Sequence, residues 1–583
     1  AMKHDIHSKE SRRGIALFTA LIFISLTVIV LISLLARYTQ QRLQVDRFED
    51  YYLVFEAAEA AQEQCIVDVE NDQAGIIGLD GWTPVFDAGG TLVLPGFDAA
   101  GVIPVTMSTM PGVEYMGYTY EWFGDGRDSD GNGEIDDIGE FGMFSIHTAG
   151  RSEGHTRQIE GVYSTANVNV WNNAIFGGTG QSGNLVNGNV SIHGSVHLLG
   201  ENLPDGGTAV ETTNAINFGG GALIGNNYDG MPADLEQRVP PLPTRLYSGE
   251  TVETLYTKVR VKKGTVGISG NAHIGEPQVV GSGVKGPVDG TYNNDGWSGN
   301  AIIEDGDRNI PLPTNFYSDN GHTETYDLGH RVPMPYLDDD WREPDGSRVT
   351  DPDTGTWYTH ETYFTEVLLA DPVNETDGIY NGNIVLNVYD KKGTAVYWNA
   401  TTGQYLTGAA AVAATPGVND DYLKFVPATN MLFMNGQIRI NGTLSFVGQG
   451  NDTTINYTGR AAFLVDGNVT IDTNLITCNN GNPLNITDSF PVNNIIGIMT
   501  TGDMMVGSTS QLSMMGAFYA EGACITEKQS NIMGTFVANY FNMGKNVPSI
   551  FQVPELAANL PYGMIGNYPI IVLSPESWRE LGI

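Results

Sequence analysis

The sequence predicts a mainly β protein led by one long N-terminal helix, with much of its later length built as a parallel, β-helix-like solenoid. Glycine occurs 72 times among 583 residues, against only 16% charged residues. That balance favours short strands and tight turns, because glycine supplies the positive-φ positions that turns require. Residues Ile15 to Ala36 (IALFTALIFISLTVIVLISLLA) carry no charge and match the ~20 residues that a membrane-spanning helix needs. Short segments in which Asn-Gly or Asp-Gly precedes alternating Val and Ile recur along the chain, the pattern of a stacked repeat.

Charge narrows the function classes. Asp and Glu total 67 against 29 Lys and Arg, a formal charge of −38. Nucleic-acid binding depends on neutralising phosphates, so no nucleic-acid partner is expected. A solvated or cation-binding surface fits better. The cysteines, Cys65, Cys478 and Cys524, form no C-x-x-C pair, which argues against a cysteine zinc site. Pairing of Cys478 with Cys524 and three unpaired thiols both remain open.

The first element is the anchor. Residues 1–14 hold Lys3, Lys9, Arg12 and Arg13, partly offset by Asp5 and Glu10. This bias keeps the N-terminus cytoplasmic and sends the remainder of the chain outward. A secretory signal peptide and a plain signal anchor compete for the run 15–36. The run is long for the former, and no A-x-A-like site closely succeeds it. Residues 37–75 continue as an amphipathic helix of good helix formers, including Phe55-Glu56-Ala57-Ala58-Glu59-Ala60-Ala61.

RRGIALFTALIFISLTVIVLI followed by FEAAEAA resembles the N-terminus of PilX-type minor pilins and of K-type pseudopilins of type II secretion, over about sixty residues. The resemblance implies cleavage by a prepilin peptidase between Gly14 and Ile15, with methylation of Ile15. It implies other pilins or pseudopilins and an inner-membrane assembly platform as partners. The implied location is the bacterial inner membrane as a single-pass precursor, then the cell surface or pilus. Major pilins carry Glu five residues into the mature chain, where this sequence has Thr19. That Glu is thought to neutralise a neighbouring subunit's terminal amine, so Thr19 suits a minor or tip position.

Residues 76–165 read as a β module, with strands at Thr91 to Leu94, Val113 to Trp122, Phe141 to His147 and Thr156 to Tyr163. FSIHTAGRSEGHTRQIEGVYST resembles the closing hairpin of PilX-like headpieces, which implies a pilin-like α+β head. Within it lies GDGRDSDGNGEIDD. Asp128, Asp130, Asn132, the Glu134 carbonyl and Asp136 match positions 1, 3, 5, 7 and 9 of a calcium loop, with Gly133 at the sharp turn. Gly139 occupies position 12, so Asp137 or Glu140 supplies the last ligand. Alternating oxygen donors on a tight loop suit a structural calcium ion. An acidic turn that merely stays solvated is the alternative.

The repeats come next. Gly497 to Val506 aligns with Gly516 to Ile525 and with Gly534 to Met543, at offsets of about 18 to 19 residues, consistent with single solenoid rungs. Related units begin at Val186, Gly264, Phe433 and Phe463. Rungs are expected over 166–284 and 429–550, with an irregular insert over 285–428. Residues 551–583 are read as a C-terminal cap in which PESWREL forms a short helix, Ser574 capping it and Pro575 at its first position. Met504, Met505, Met514 and Met515 read as adaptable core filling.

No catalytic motif is present. The cluster Asp338, Asp339, Asp340, Asp345, Asp351 and Asp353, with His322, His330 and His360, sits among Pro and Gly and reads as a solvated loop. The expected function is a non-enzymatic minor or tip subunit of a type IV pilus or pseudopilus, displaying its solenoid for structural or adhesive contacts. The alternative is a tethered β-helix that binds or cleaves polysaccharide, with surface glycans as partners.

Overall fold

The computed structural model describes residues 6–70, 75–86, 92–122, 143–152, 155–167, 169–181, 186–188, 191–202, 214–247, 250–261, 265–268, 272–275, 279–286, 288, 291–294, 301–303, 315–317, 332–343, 348–369, 378–389, 393–508, 510–543, 548–567 and 571–581. The fold is mainly β, with one long N-terminal helix. The chain divides into two compact units. The first comprises Ala1–Trp122, Met143–Ser164 and Leu573–Ile583, and the second Phe123–Gly142 and Thr165–Val572.

In the first unit, helix α1 (Ile6–Glu70) runs 65 residues, about 97 Å at 1.5 Å per residue. It contains no proline, and Gly14 is its sole glycine, so nothing in the sequence breaks it. Its later half buries Val54, Ala57, Ala58, Ala61, Cys65 and Val69. Those positions lie three and four apart and share one face.

That face meets an antiparallel sheet. Its strands are β1 (Ile76–Ile77), β2 (Val105–Thr106), β3 (Val113–Trp122), β4 (Met143–Ser152), β5 (His155–Asn167) and β6 (Ile571–Leu581). The order is β1-β3-β4-β5-β6, with β2 beside β3. A glycine on each of three neighbouring strands lets the helix come close. A Cβ on Gly117 would lie 2.8 Å from Cys65 Sγ, one on Gly150 2.1 Å from the Val54 carbonyl oxygen, and one on Gly161 2.0 Å from Gln62 Nε2. Alanine on the helix and glycine on the sheet thus remove the side-chain layer that normally separates the two. On another face Leu79, Leu92, Leu94 and Phe97 bury Met116 and Ala149.

The strand expectations for Val113 to Trp122 and Thr156 to Tyr163 match β3 and β5, and β4 runs to Ser152. Of the segment Thr91 to Leu94, Thr91 lies outside the described residues, and residues 92–94 contribute a bridge, Leu92 to Phe86. PESWREL is strand, not helix. Ser574-Pro575 is a sound local helix start, but Trp578, Arg579 and Glu580 all find partners on α1 and β5. Tertiary contacts therefore override a local preference.

The second unit holds parallel strands in continuous register. One ladder runs Ile438, Phe463, Ile498, Phe518, Phe536, Ile175, Val196, Val259. None of the eight side chains is more than 1% exposed, and at ~4.8 Å between strands they span about 34 Å. A second ladder runs Ile384, Leu444, Val469, Met504, Cys524, Phe541. A third runs Ile455, Leu475, Met514, Ile532, Ile550, Ile192, Ile224, Ile274. All join one hydrophobic core.

Corners are built by the Asn/Asp-Gly pairs and their relatives. A Cβ on Gly442 would lie 2.2 Å from the Gly382 carbonyl oxygen, one on Gly467 2.7 Å from that of Gly442, and one on Gly522 2.8 Å from that of Gly502. The next residue ties strand to strand. Asn383 Oδ1 accepts the Thr443 N–H at 2.9 Å, Asn468 Oδ1 that of Asp503 at 3.0 Å, and Asp503 Oδ1 that of Ala523 at 2.8 Å.

The aligned repeats need one adjustment. Gly516 lies opposite Gly534 as the alignment has it, but Gly497 lies opposite Ala517, one residue beyond its sequence match. Ile498 thereby stacks on Phe518 rather than on Ala517. A one-residue slip exchanges the faces of a strand, so the buried side chains set the register. The stretch 285–428 is not wholly irregular either, since Ile379–Asn381 and Ile384–Asn387 pair in parallel with Arg439–Asn441 and Leu444–Val447.

Strands around Met499, Tyr519, Val537 and Phe176 are buried on both faces. Two segments cover the second face. Pro335 accepts the Tyr519 hydroxyl at 2.8 Å, Ile565 accepts the Trp171 indole N–H at 2.8 Å, and Asn559 accepts Arg460 at 2.6 Å. Met504, Met514 and Met515 are core residues. Cys65, Cys478 and Cys524 are free thiols, each buried.

Candidate functional site

The first half of α1 is the most distinctive surface of the first unit. Within Ala16–Val69 its most apolar stretch has no buried part, and Phe23 is 76% exposed. Ser25, Thr27 and Ser33 donate their hydroxyls to the carbonyls of Leu21, Phe23 and Ile29 at 2.7–2.8 Å. The polar side chains thus satisfy themselves on the helix backbone and leave the surface apolar. By length and composition this helix is fit to cross a membrane. Past the span, Tyr38, Val45, Phe48 and Tyr52 stay exposed. Helical geometry puts them on one stripe, roughly opposite the face that Val54, Ala61 and Cys65 bury.

Gly14 and Ile15 lie within the helix, and their side chains are outside the described set. Thr19 is exposed on the apolar half. The expected calcium ligands Asp128, Asp130, Asn132, Glu134, Asp136, Asp137 and Glu140 lie outside the described residues. Among the described residues, no group of three His, Cys, Asp or Glu side chains is placed to hold a metal ion.

Nor do the described members of the acidic cluster converge. Asp339 accepts the Tyr336 N–H at 2.7 Å. Asp340 pairs with Arg348 at 3.4 Å. Asp351 accepts from Asp353 N–H and the Thr354 hydroxyl at 2.8 and 2.7 Å, and that hydroxyl holds its carboxyl below the usual range. His360 is buried edge-on to Trp341, and burial pushes its pKa down to about 3. Asp345, His322 and His330 lie outside the described residues.

No known protein-family profile matches the chain, and no curated protein matches it. Among solved structures it is similar to the competence-associated pilin ComZ from Thermus thermophilus, with a TM-score of 0.45 and 16% identity, over 91% of this chain and 97% of that one. The likeness is too distant to bear on function.

Sequence reasoning missed a group of residues on β6. The Trp578 indole N–H donates to Gln62 Oε1 at 3.3 Å, and its ring lies 5.7 Å from that of Phe55, edge to face. Arg579 donates to Glu160. Glu580 accepts the Tyr51 hydroxyl at 2.9 Å and pairs with Arg157 at 3.2 Å. Behind Glu160 stands buried His147, its Nε2 3.4 Å from the carboxylate and 2.8 Å from the Ser145 hydroxyl. Burial pushes the His147 pKa below its ordinary value, Glu160 pulls it up, and Arg579 pushes it further down. Alternation of Trp, Arg and Glu was the available signal, but Ser-Pro obscured it.

Proposed function

We propose that this chain is a non-enzymatic minor or tip subunit of a type IV pilus or of a type II secretion pseudopilus. The observation that carries this reading is the division of α1. Its first half is apolar and uncovered, while its second half is sunk into an antiparallel sheet through Gly117, Gly150 and Gly161. One helix then serves as a membrane anchor before assembly and as a contact with neighbouring subunits after it. Its N-terminus is cytoplasmic and the rest of the chain lies outside. A prepilin peptidase cuts between Gly14 and Ile15, and the inner-membrane platform takes up the product. Thr19 fits a position not repeated along the filament.

The parallel ladders support reading the second unit as a β-solenoid, displayed for structural or adhesive contact. Calcium at Asp128, Asp130, Asn132, Glu134 and Asp136, with Asp137 or Glu140, belongs to the same reading as a structural ion.

The test is the N-terminal residue of surface-displayed protein, read by mass spectrometry. Methylated Ile15, lost together with display when prepilin peptidase or the assembly ATPase is absent, is expected. An intact Gly14–Ile15 bond in displayed protein overturns the reading. Turnover of an acidic glycan by the soluble part would favour a tethered polysaccharide-cleaving protein instead. For calcium, a rise in melting temperature that Asp128→Ala with Asp130→Ala abolishes is expected, and no shift in wild type counts against the site.

A further inference from the structure

The second unit is inserted between two neighbouring strands of one sheet. The first unit ends its second segment at Ser164, in β5, and resumes at Leu573, in β6, and these strands are hydrogen-bonded neighbours. Contacts with α1 fix the relative direction of the two strands: along β5 Arg157 meets Tyr51 and Gly161 faces Gln62, whereas along β6 Trp578 meets Gln62 and Glu580 meets Tyr51, so the strands run antiparallel. β5 runs toward the inserted unit and β6 runs away from it, so both strands join the insert at their junction-side ends. A pull on the insert loads both strands together and in the same sense.

Alone, β6 would be the weak member of this pair, because among the described residues it ends the sheet and has a strand neighbour on one side. The side chains of Trp578, Arg579 and Glu580 offset that weakness. Trp578 binds Gln62 and Phe55 on α1. Arg579 binds Glu160 on β5. Glu580 binds Tyr51 on α1 and Arg157 on β5, and the Arg157 guanidinium lies 4.9 Å from the centre of the Tyr51 ring. Consecutive strand residues face opposite sides of a sheet, so these three hold β6 from both faces. Each bond is worth little when exposed, but under load they must break together with the ladder.

We propose that β6 is a force-bearing latch, whose three clamping residues make the two-strand junction fail by shear of the whole head rather than by peeling of its last strand. The inference concerns the head and its insert, and it stands whether or not the chain enters a pilus.

The test is single-molecule pulling on the full chain in detergent, with one handle on α1 at Tyr52 and the other in the insert at Val418, which is 98% exposed. Wild type is expected to release the head in a single step. Arg579→Ala with Glu580→Ala is expected to release β6 first, in a separate short step, at a rate on the order of ten-fold faster at the same force. Steps from the insert should not change. A one-step release at an unchanged rate in the variant overturns the latch, as does a separate β6 step in wild type. Should the double variant not fold, Trp578→Phe keeps the ring on Phe55 and removes only the bond to Gln62. It should give a smaller rise in the same rate, and no rise overturns the latch equally.

Discussion

Thr179 donates its hydroxyl to the carbonyl of Asn539, 360 residues later in the chain, at 2.8 Å. Around this bond Phe536 to Ala538 lie in parallel register with Ile175 to Gly177. The first strand of the inserted unit therefore pairs in parallel with one of its late strands, and the stretches 166–284 and 429–550 are hydrogen-bonded to each other.

Glycine within these parallel strands is in places required by space. Gly534 has φ +135°, and a Cβ there would lie 1.9 Å from the Gly516 carbonyl oxygen. Gly534→Ala is expected to destabilise the insert by about 3 kcal/mol or more. Gly408, with φ +60° and nothing within 4 Å of a Cβ, should lose only about 1 kcal/mol as Gly408→Ala. Urea unfolding of the two variants checks the contrast.

The ladders predict cavity costs that depend on position. Phe518 is stacked on Phe536 at 5.2 Å and is fully buried. Phe518→Ala should cost about 3–5 kcal/mol. Exposed Leu484 should be replaceable by Ala within about 0.5 kcal/mol. Thermal unfolding monitored by circular dichroism measures both.

Acid should weaken the insert. Burial lowers the pKa of His193 to about 4 and that of His360 to about 3. Both folded-state values lie below the unfolded value of ~6.5. The unfolded chain therefore binds protons first, and stability present above pH ~6.5 is lost as the pH falls toward 4 and below. His193→Phe, which retains a ring against Phe551, should flatten this slope. A slope equal to that of wild type would show that His193 does not contribute.

His147 reports on the clamp of β6. Arg579 is one cause of its lowered pKa, so Arg579→Gln should move the His147 titration upward. Proton NMR of the imidazole tracks it directly. A downward shift would mean that Glu160 turns away when its partner is lost.

Close approach of α1 to its sheet predicts a steric limit. A Cβ on Gly150 would already lie 2.1 Å from the Val54 carbonyl. Gly150→Val should therefore prevent the helix from seating. Hydrogen exchange in β4 and in residues 54–65 should rise together.

Much of the fold was legible in the sequence, for identifiable reasons. The uncharged run at Ile15 to Ala36, the hairpin of β4 and β5, and the Asn/Asp-Gly corners at Asn441-Gly442 and Asp466-Gly467 are local patterns set by composition and turn chemistry. The features that were not legible depend on distant partners. Gly497 slips one residue because Ile498 must stack on Phe518. Ile571–Leu581 is a strand because its ladder partner is β5, some four hundred residues earlier in sequence. Of the candidate site, the anchor could be read directly, whereas the grip of Trp578, Arg579 and Glu580 could not, since none of their partners is near in sequence.

Because Phe176 pairs with Val537, biogenesis has a fixed timetable. Strands made early in the insert wait with bare edges until residues near 537 have been synthesised. The head's own last strand emerges later still. Any truncation between these points leaves two incomplete sheets, each with an open edge ready to pair with another chain. The order of strands therefore makes folding all or nothing, and it makes a stalled chain a target for chaperones and proteases rather than a shorter working version of the protein.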